Sequence, residues 1–166
     1  QPMERYEFVI GKYLGLAALL LLDILFMTAV TVAWILVLKG EISPVFFQAV
    51  LLIYVKLLLI TALSVLLSAA ASPILGAVIV FCAYVFGHAT EVFRDLPPQI
   101  AGTPAEPVLK TIYYIVPNLS LLDLHAYAAN NVPVNPLYVF WAAVYGAGWA
   151  IAMLALACVA FENKEL

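Results

Sequence analysis

Apolar residues run almost unbroken over four stretches, 13–38, 45–72, 74–93 and 137–161, each bounded by a short polar or proline-bearing segment. A helix needs about 20 residues to cross roughly 30 Å of hydrocarbon, and a run that is apolar on every side is surrounded by lipid rather than water. The pattern predicts an all-α fold, a polytopic integral membrane bundle with transmembrane helices over about 10–38, 45–71, 74–93 and 137–161. Residues 1–166 then form a single transmembrane domain.

The segments between the stretches carry turn chemistry. Lys39-Gly40-Glu41-Ile42-Ser43-Pro44 offers a helix stop at Gly40 and a Ser-Pro start, so the first two stretches form an antiparallel hairpin. Ser72-Pro73 divides the second stretch from the third, proline being tolerated in a first helical turn where its missing N–H would be unpaired anyway. From 94 to 136 the chain is broken by Pro97, Pro98, Pro104, Pro107, Pro117, Pro133 and Pro136 and is too polar to cross a bilayer. Short interfacial helices are expected there over 106–116 and 119–129, the second capped by Asn118 or Ser120, with the whole loop lying as a lid.

Composition agrees with lipid as the solvent. Hydrophobic residues make up 66% of the chain and charged residues 10%, against about 25% charged in ordinary globular proteins. The net charge of −3 is spread over ends and loops, leaving no basic face for nucleic acid. Cys82 and Cys158 both lie inside apolar stretches, which argues against a disulfide framework. The first apolar run is longer than a signal-peptide core of about 7–15 residues and should stay in the membrane. Arg5, Lys12 and Lys164 balance Lys39, Arg94 and Lys110, so basic residues alone leave the orientation open.

Ionisable residues inside apolar stretches are costly, at least ~2.5 kcal/mol each when unpaired, and each therefore needs a reason. Asp23 and Lys56 are the deep ones. Counted from the turn, Asp23 precedes Leu38 by 15 residues and Lys56 follows Pro44 by 12, which puts the two about one helical turn apart in depth. Two readings of this intramembrane pair stay open: a polar site lining a conduit or subunit seam, and an ion pair that fixes hairpin register. Tyr84, His88, Glu91 and Asp95 share one helix face, and His88 with Glu91, joined by Asp123 and His125 from the loop, is a candidate polar or metal site. Thr61, Ser64, Ser68 and Ser72, then Gly76, Ala83 and Gly87, then Ala143, Gly146 and Ala150, form small-residue stripes that let helices approach closely in lipid. No zinc-protease, CxxC, nucleophile-elbow or Walker-type glycine motif occurs.

The opening Glu4-Arg5-Tyr6-Glu7-Phe8-Val9-Ile10-Gly11-Lys12-Tyr13-Leu14-Gly15 resembles the P-x-x-R-x-E-F-x-x-G-K-x-L-G phrase that leads into a transmembrane helix in ATP-binding-cassette transporter permeases of the type 2 class. The resemblance continues through Leu67-Ser68 to Ser72-Pro73, Tyr84-x-x-Gly87-His88, Tyr114-x-x-Pro117-Asn118-Leu119 and Leu122-x-Leu124. It implies a six-helix family of which this sequence holds the last four helices, with Gln1-Pro2 marking a truncation. It also implies an inner-membrane protein with both termini cytoplasmic, and with 39–44 and the 94–136 loop outside. Glu4, Arg5, Glu7, Phe8 and Lys12 would face a cassette ATPase, two permease copies would form the pathway, and ATP and Mg would sit on the ATPase rather than on this chain. The expected function is therefore a permease subunit, not itself an enzyme, that moves a substrate when driven by a separate ATPase. A non-transporting membrane scaffold or assembly protein is the alternative, and a membrane enzyme built on a metal at His88, Glu91, Asp123 and His125 is a third reading.

Overall fold

The computed structural model describes residues 5–88 and 116–162. Three long helices, α1 (Arg5–Val37), α2 (Pro44–Ala70) and α5 (Pro136–Glu162), lie with a shorter apolar helix, α3 (Pro73–His88), and a small α4 (His125–Ala129). A 3-10 turn, Ser120–Leu122, precedes α4. α1, α2 and α5 are long and apolar enough to cross a membrane, and the fold is a helical membrane bundle. The described part of α3 has 16 residues, about 24 Å of rise, and the remainder of the third expected span, 89–93, lies outside the described residues.

Local chemistry explains the helix ends. At the first turn Gly40 N–H bonds Ile35 O at 2.9 Å and Lys39 N–H bonds Leu36 O at 3.1 Å, the paired bonds of a Schellman motif. The left-handed residue in it is Lys39, at φ 54°, not the glycine that the sequence offers as the stop. Asn131, at φ 52°, closes α4 in the same way, with Val132 N–H reaching Tyr127 O. Ser43 caps α2 by accepting from Val45 N–H, and Pro44 fills the first helical position.

α2 is the central element and packs against every other described element. Its buried positions Val45, Ala49, Leu52, Leu59, Ala62, Val65 and Ala69 recur at spacings of three and four, apart from one gap. Lys56 fills that gap, midway between Leu52 and Leu59 in the inward stripe. Outward surfaces are mainly apolar: Leu22 is 69% exposed, Phe26, Trp34, Ile74 and Trp141 are open as well, and Asp23 is an exposed acid among them. Such a surface is at home only in lipid.

The segment after Pro117 does not lie on the surface as a lid. Leu119, Leu122 and Leu124 are 2% exposed or less and pack with Leu52, Leu59, Val139 and Ala142 in the main core. The expected helix over 119–129 is broken at Asp123–Leu124 into the 3-10 turn and α4, because Asp123 and Asn118 spend their side chains on their own backbone two residues on. The helix expected over 106–116 lies outside the described residues, except for Val116.

Two glycines make room for this inserted wedge. A Cβ on Gly87 would stand 2.7 Å from Leu119 Cγ and 3.0 Å from Pro117 O; on Gly146 it would stand 2.5 Å from Val55 Cγ1 and 3.2 Å from Leu122 Cδ1. Gly146 is ten residues into α5, so the wedge reaches about 15 Å down the bundle, near the middle of a hydrocarbon layer about 30 Å thick. Gly87→Ala should therefore lower stability by about 1–3 kcal/mol through overpacking. Gly148→Ala, with nothing within 4 Å of the added carbon, should leave it unchanged or slightly raised. Thermal unfolding of the two variants in detergent checks the contrast.

Candidate functional site

An ammonium in an apolar stripe must be met by an acceptor, and the wedge supplies it. Lys56 Nζ lies 3.2 Å from Asp123 Oδ2, with side-chain exposures of 12% and 35%, so the lysine is the more deeply held partner. Lys56 Nζ also approaches His88 Nε2 at 3.4 Å, and His88 Nδ1 lies 3.0 Å from Tyr84 O. One tautomer satisfies both contacts: Nδ1–H donates to the carbonyl and Nε2 accepts from the ammonium. His88 Nε2 is 3.8 Å from Asp123 Oδ2, and its ring lies 4.4 Å from that of Tyr84. One residue from α2, one from α3 and one from the wedge thus meet at mid-bundle.

The backbone around Asp123 is irregular, so its polar groups must find partners inside the protein. Leu119 N–H donates to Gly87 O at 3.0 Å, Asn118 N–H to the Tyr145 hydroxyl at 2.9 Å, and Ser120 N–H to Asn118 Oδ1 at 3.0 Å. The Ser120 hydroxyl donates to His88 O, and the Tyr138 hydroxyl donates to Leu121 O, each at 3.0 Å. Tyr138 and Tyr145 stand seven residues apart on α5, a spacing that places both on one helix face. That spacing was the signal in the sequence for two residues that the motif reading passed over.

Partial burial works against a charge on Asp123. Even so, the His125 N–H on Oδ1 and the hydrogen bond and charge of Lys56 outweigh it and hold the carboxyl below the ordinary aspartate range. A carboxylate with a lowered folded-state pKa contributes stability above its unfolded value and loses it as the pH falls through the folded value.

The expected Asp23–Lys56 pair does not form. Asp23 is exposed on α1 and has no ion pair among the described residues, whereas Lys56 binds Asp123. The Tyr13 hydroxyl reaches Leu58 O and the Tyr54 hydroxyl reaches Ala17 O, a register that sets Asp23 beside the stretch around Gln48. That is about two turns from Lys56. Counting from the turn assumed level helix ends, and it carried no information on rotation about the axis.

Of the candidate metal residues, His88 and Asp123 come together, but with the Lys56 ammonium in the place a cation would take. His125 meets Asp123 through its backbone N–H and is exposed, and Glu91 lies outside the described residues. Among the described residues no group of three or more His, Cys, Asp or Glu is placed to hold a metal ion. Of the coupling candidates, Glu4 lies outside the described residues and Arg5 opens α1. Glu7 is exposed, Phe8 stacks on Phe161 with ring centroids 6.1 Å apart, and Lys12 Nζ donates to Ser68 Oγ at 3.3 Å.

Comparison with protein-family models, with curated proteins and with solved structures finds no match.

Breaking the pair on one side strands a charge or an acceptor, while removing both partners does not. Lys56→Met and Asp123→Asn should each cost about 1–3 kcal/mol, and the double variant should cost less than the two singles added together. Asp23→Asn, on the exposed face of α1, should cost nothing measurable; unfolding in detergent measures all four. The same protein should lose stability as the pH falls through and below the ordinary carboxylate range, and Asp123→Asn should flatten that acid limb.

Proposed function

We propose that this chain is the permease subunit of an ATP-binding-cassette transporter of the type 2 class, working as a pair of copies with separate ATPase subunits in a cell inner membrane. The observation that carries the reading is a convergence. Some fragments of the resemblance, Tyr84, Gly87 and His88 on one side and Pro117, Asn118, Leu119 and Leu122 on the other, lie far apart in sequence yet interlock around the Lys56 site.

The packing also supports a lever. Val9 near the start of α1, Val65 near the end of α2 and Ala157 near the end of α5 form one small core, so force applied to the segment before Lys12 is delivered to α2. α2 carries Lys56 at the other end of that path, beside the wedge. In this reading both termini face the cytoplasm, the 39–44 turn lies outside with 117–124 let into the bundle from that side, and the ATPase engages the start of α1 differently in its two nucleotide states. A partner that bound both states equally would shift nothing. An inward ionisable cluster at membrane depth is the kind of group that marks a transport pathway, and it is the part of the bundle best placed to change partners between access states.

The test is isolation of the tagged full-length protein from its own membrane in mild detergent. A cassette ATPase should accompany it, and ATP hydrolysis by that subunit should change severalfold when the permease is present in liposomes. Absence of such an ATPase, or hydrolysis indifferent to the permease, would support the scaffold reading in its place.

A further inference from the structure

Between α2 and α3 runs an open groove of about 590 Å³, walled by Ile60, Leu67 and Ser68 on one side and by Gly76, Ala77 and Phe81 on the other. It extends along α2 from Ile60 to its end, with Ser72 in the turn beyond, and from Pro73 to Tyr84 on α3, about 15–17 Å along the helices. One leaflet of a hydrocarbon layer about 30 Å thick is about 15 Å deep, so the groove matches a single leaflet. Its hydroxyls do not invite a polar solute: Ser64 donates to Ile60 O and Ser68 to Val65 O, each bond 2.8–2.9 Å long, which commits both protons to the helix itself. What the groove presents along its length is a surface for an apolar chain.

One end is different. There, towards the α2–α3 turn, Lys12 of α1 places its ammonium 3.3 Å from Ser68 Oγ, and Ser72, four residues on, lines the groove and is exposed. Among the described residues no carboxylate lines the groove. The nearest acid on α1 among the described residues, Glu7, is five residues earlier and about 140° round the helix. A cation at the headgroup end of a leaflet-long apolar groove complements one kind of molecule: an acyl chain carrying an anionic head.

We propose that the α2–α3 groove is a binding site for an anionic phospholipid, with one acyl chain lying against Gly76, Ala77 and Phe81 and the phosphate beside Lys12 and Ser72. The site depends on the bundle lying in a membrane and stands independently of any transport role.

The experiment uses the full chain, stripped of lipid in detergent and re-equilibrated in mixed micelles with equal amounts of phosphatidylglycerol and phosphatidylcholine; retained lipid is then measured by mass spectrometry. The wild type should retain about one phospholipid per chain with phosphatidylglycerol enriched on the order of 5-fold, the discrimination expected of one lysine at a membrane surface. Lys12→Gln should keep a lipid but lose the preference. Ala77→Phe, which fills the groove from an exposed position, should lose the lipid; Val80→Phe serves where that variant fails to fold. Inorganic phosphate should not displace the lipid, since the chain and not the charge alone holds it. Equal retention of the two lipids by the wild type, unchanged retention in a folded groove-filling variant, or displacement by free phosphate would overturn the proposal. So would conversion of a dimer to a monomer by Ala77→Phe with retained lipid unchanged, which would assign the groove to a second copy of the chain.

Discussion

A lysine set into the inward stripe of a lipid-embedded helix obliges the rest of the bundle to deliver a carboxylate to mid-depth. Lys56 falls where the spacing of α2 calls for another Leu or Ala, and lipid offers no water to relieve it. The answer in this fold is a stretch of irregular chain, 117–124, driven between α2, α3 and α5 until Asp123 meets the ammonium. Most other features of the site follow from that need. Irregular backbone at that depth requires internal partners, so α3 offers carbonyls and α5 offers two tyrosine hydroxyls. It also requires space, so glycines stand where Leu119, Leu122 and Val55 come closest.

The membrane-crossing helices were legible in the sequence because length and apolarity decide them without reference to any neighbour. α1, α2 and α5 begin and end within a few residues of their expected bounds, since Ser43-Pro44 and the proline before α5 act locally. The partner of Lys56 was not legible. Depth along a hairpin can be counted, but rotation about the helix axis and the stagger of two helices depend on side-chain contacts such as Tyr13 with Leu58. Asp123 sat in a proline-broken, polar-looking loop, and nothing local says that such a loop turns inward; its three buried leucines, at 119, 122 and 124, were the sign. His88 and Asp123 were both singled out as chemistry-bearing, for a metal, and the structure gives their proximity a different meaning through the lysine between α2 and the wedge.

Two stretches far apart in sequence, 84–88 and 117–122, meet at the site. His88 Nε2 lies 3.8 Å from the carboxylate that Lys56 holds at 3.2 Å.

Hydrogen exchange of the full chain in a lipid bilayer bears most directly on whether the 117–124 segment is inserted and held by Lys56. Amides of that segment should exchange as slowly as those of the adjoining helices in the wild type, and should become fast in Lys56→Met while the middle of α2 stays protected. Exchange in the wild type at the rate of an exposed loop would contradict the account.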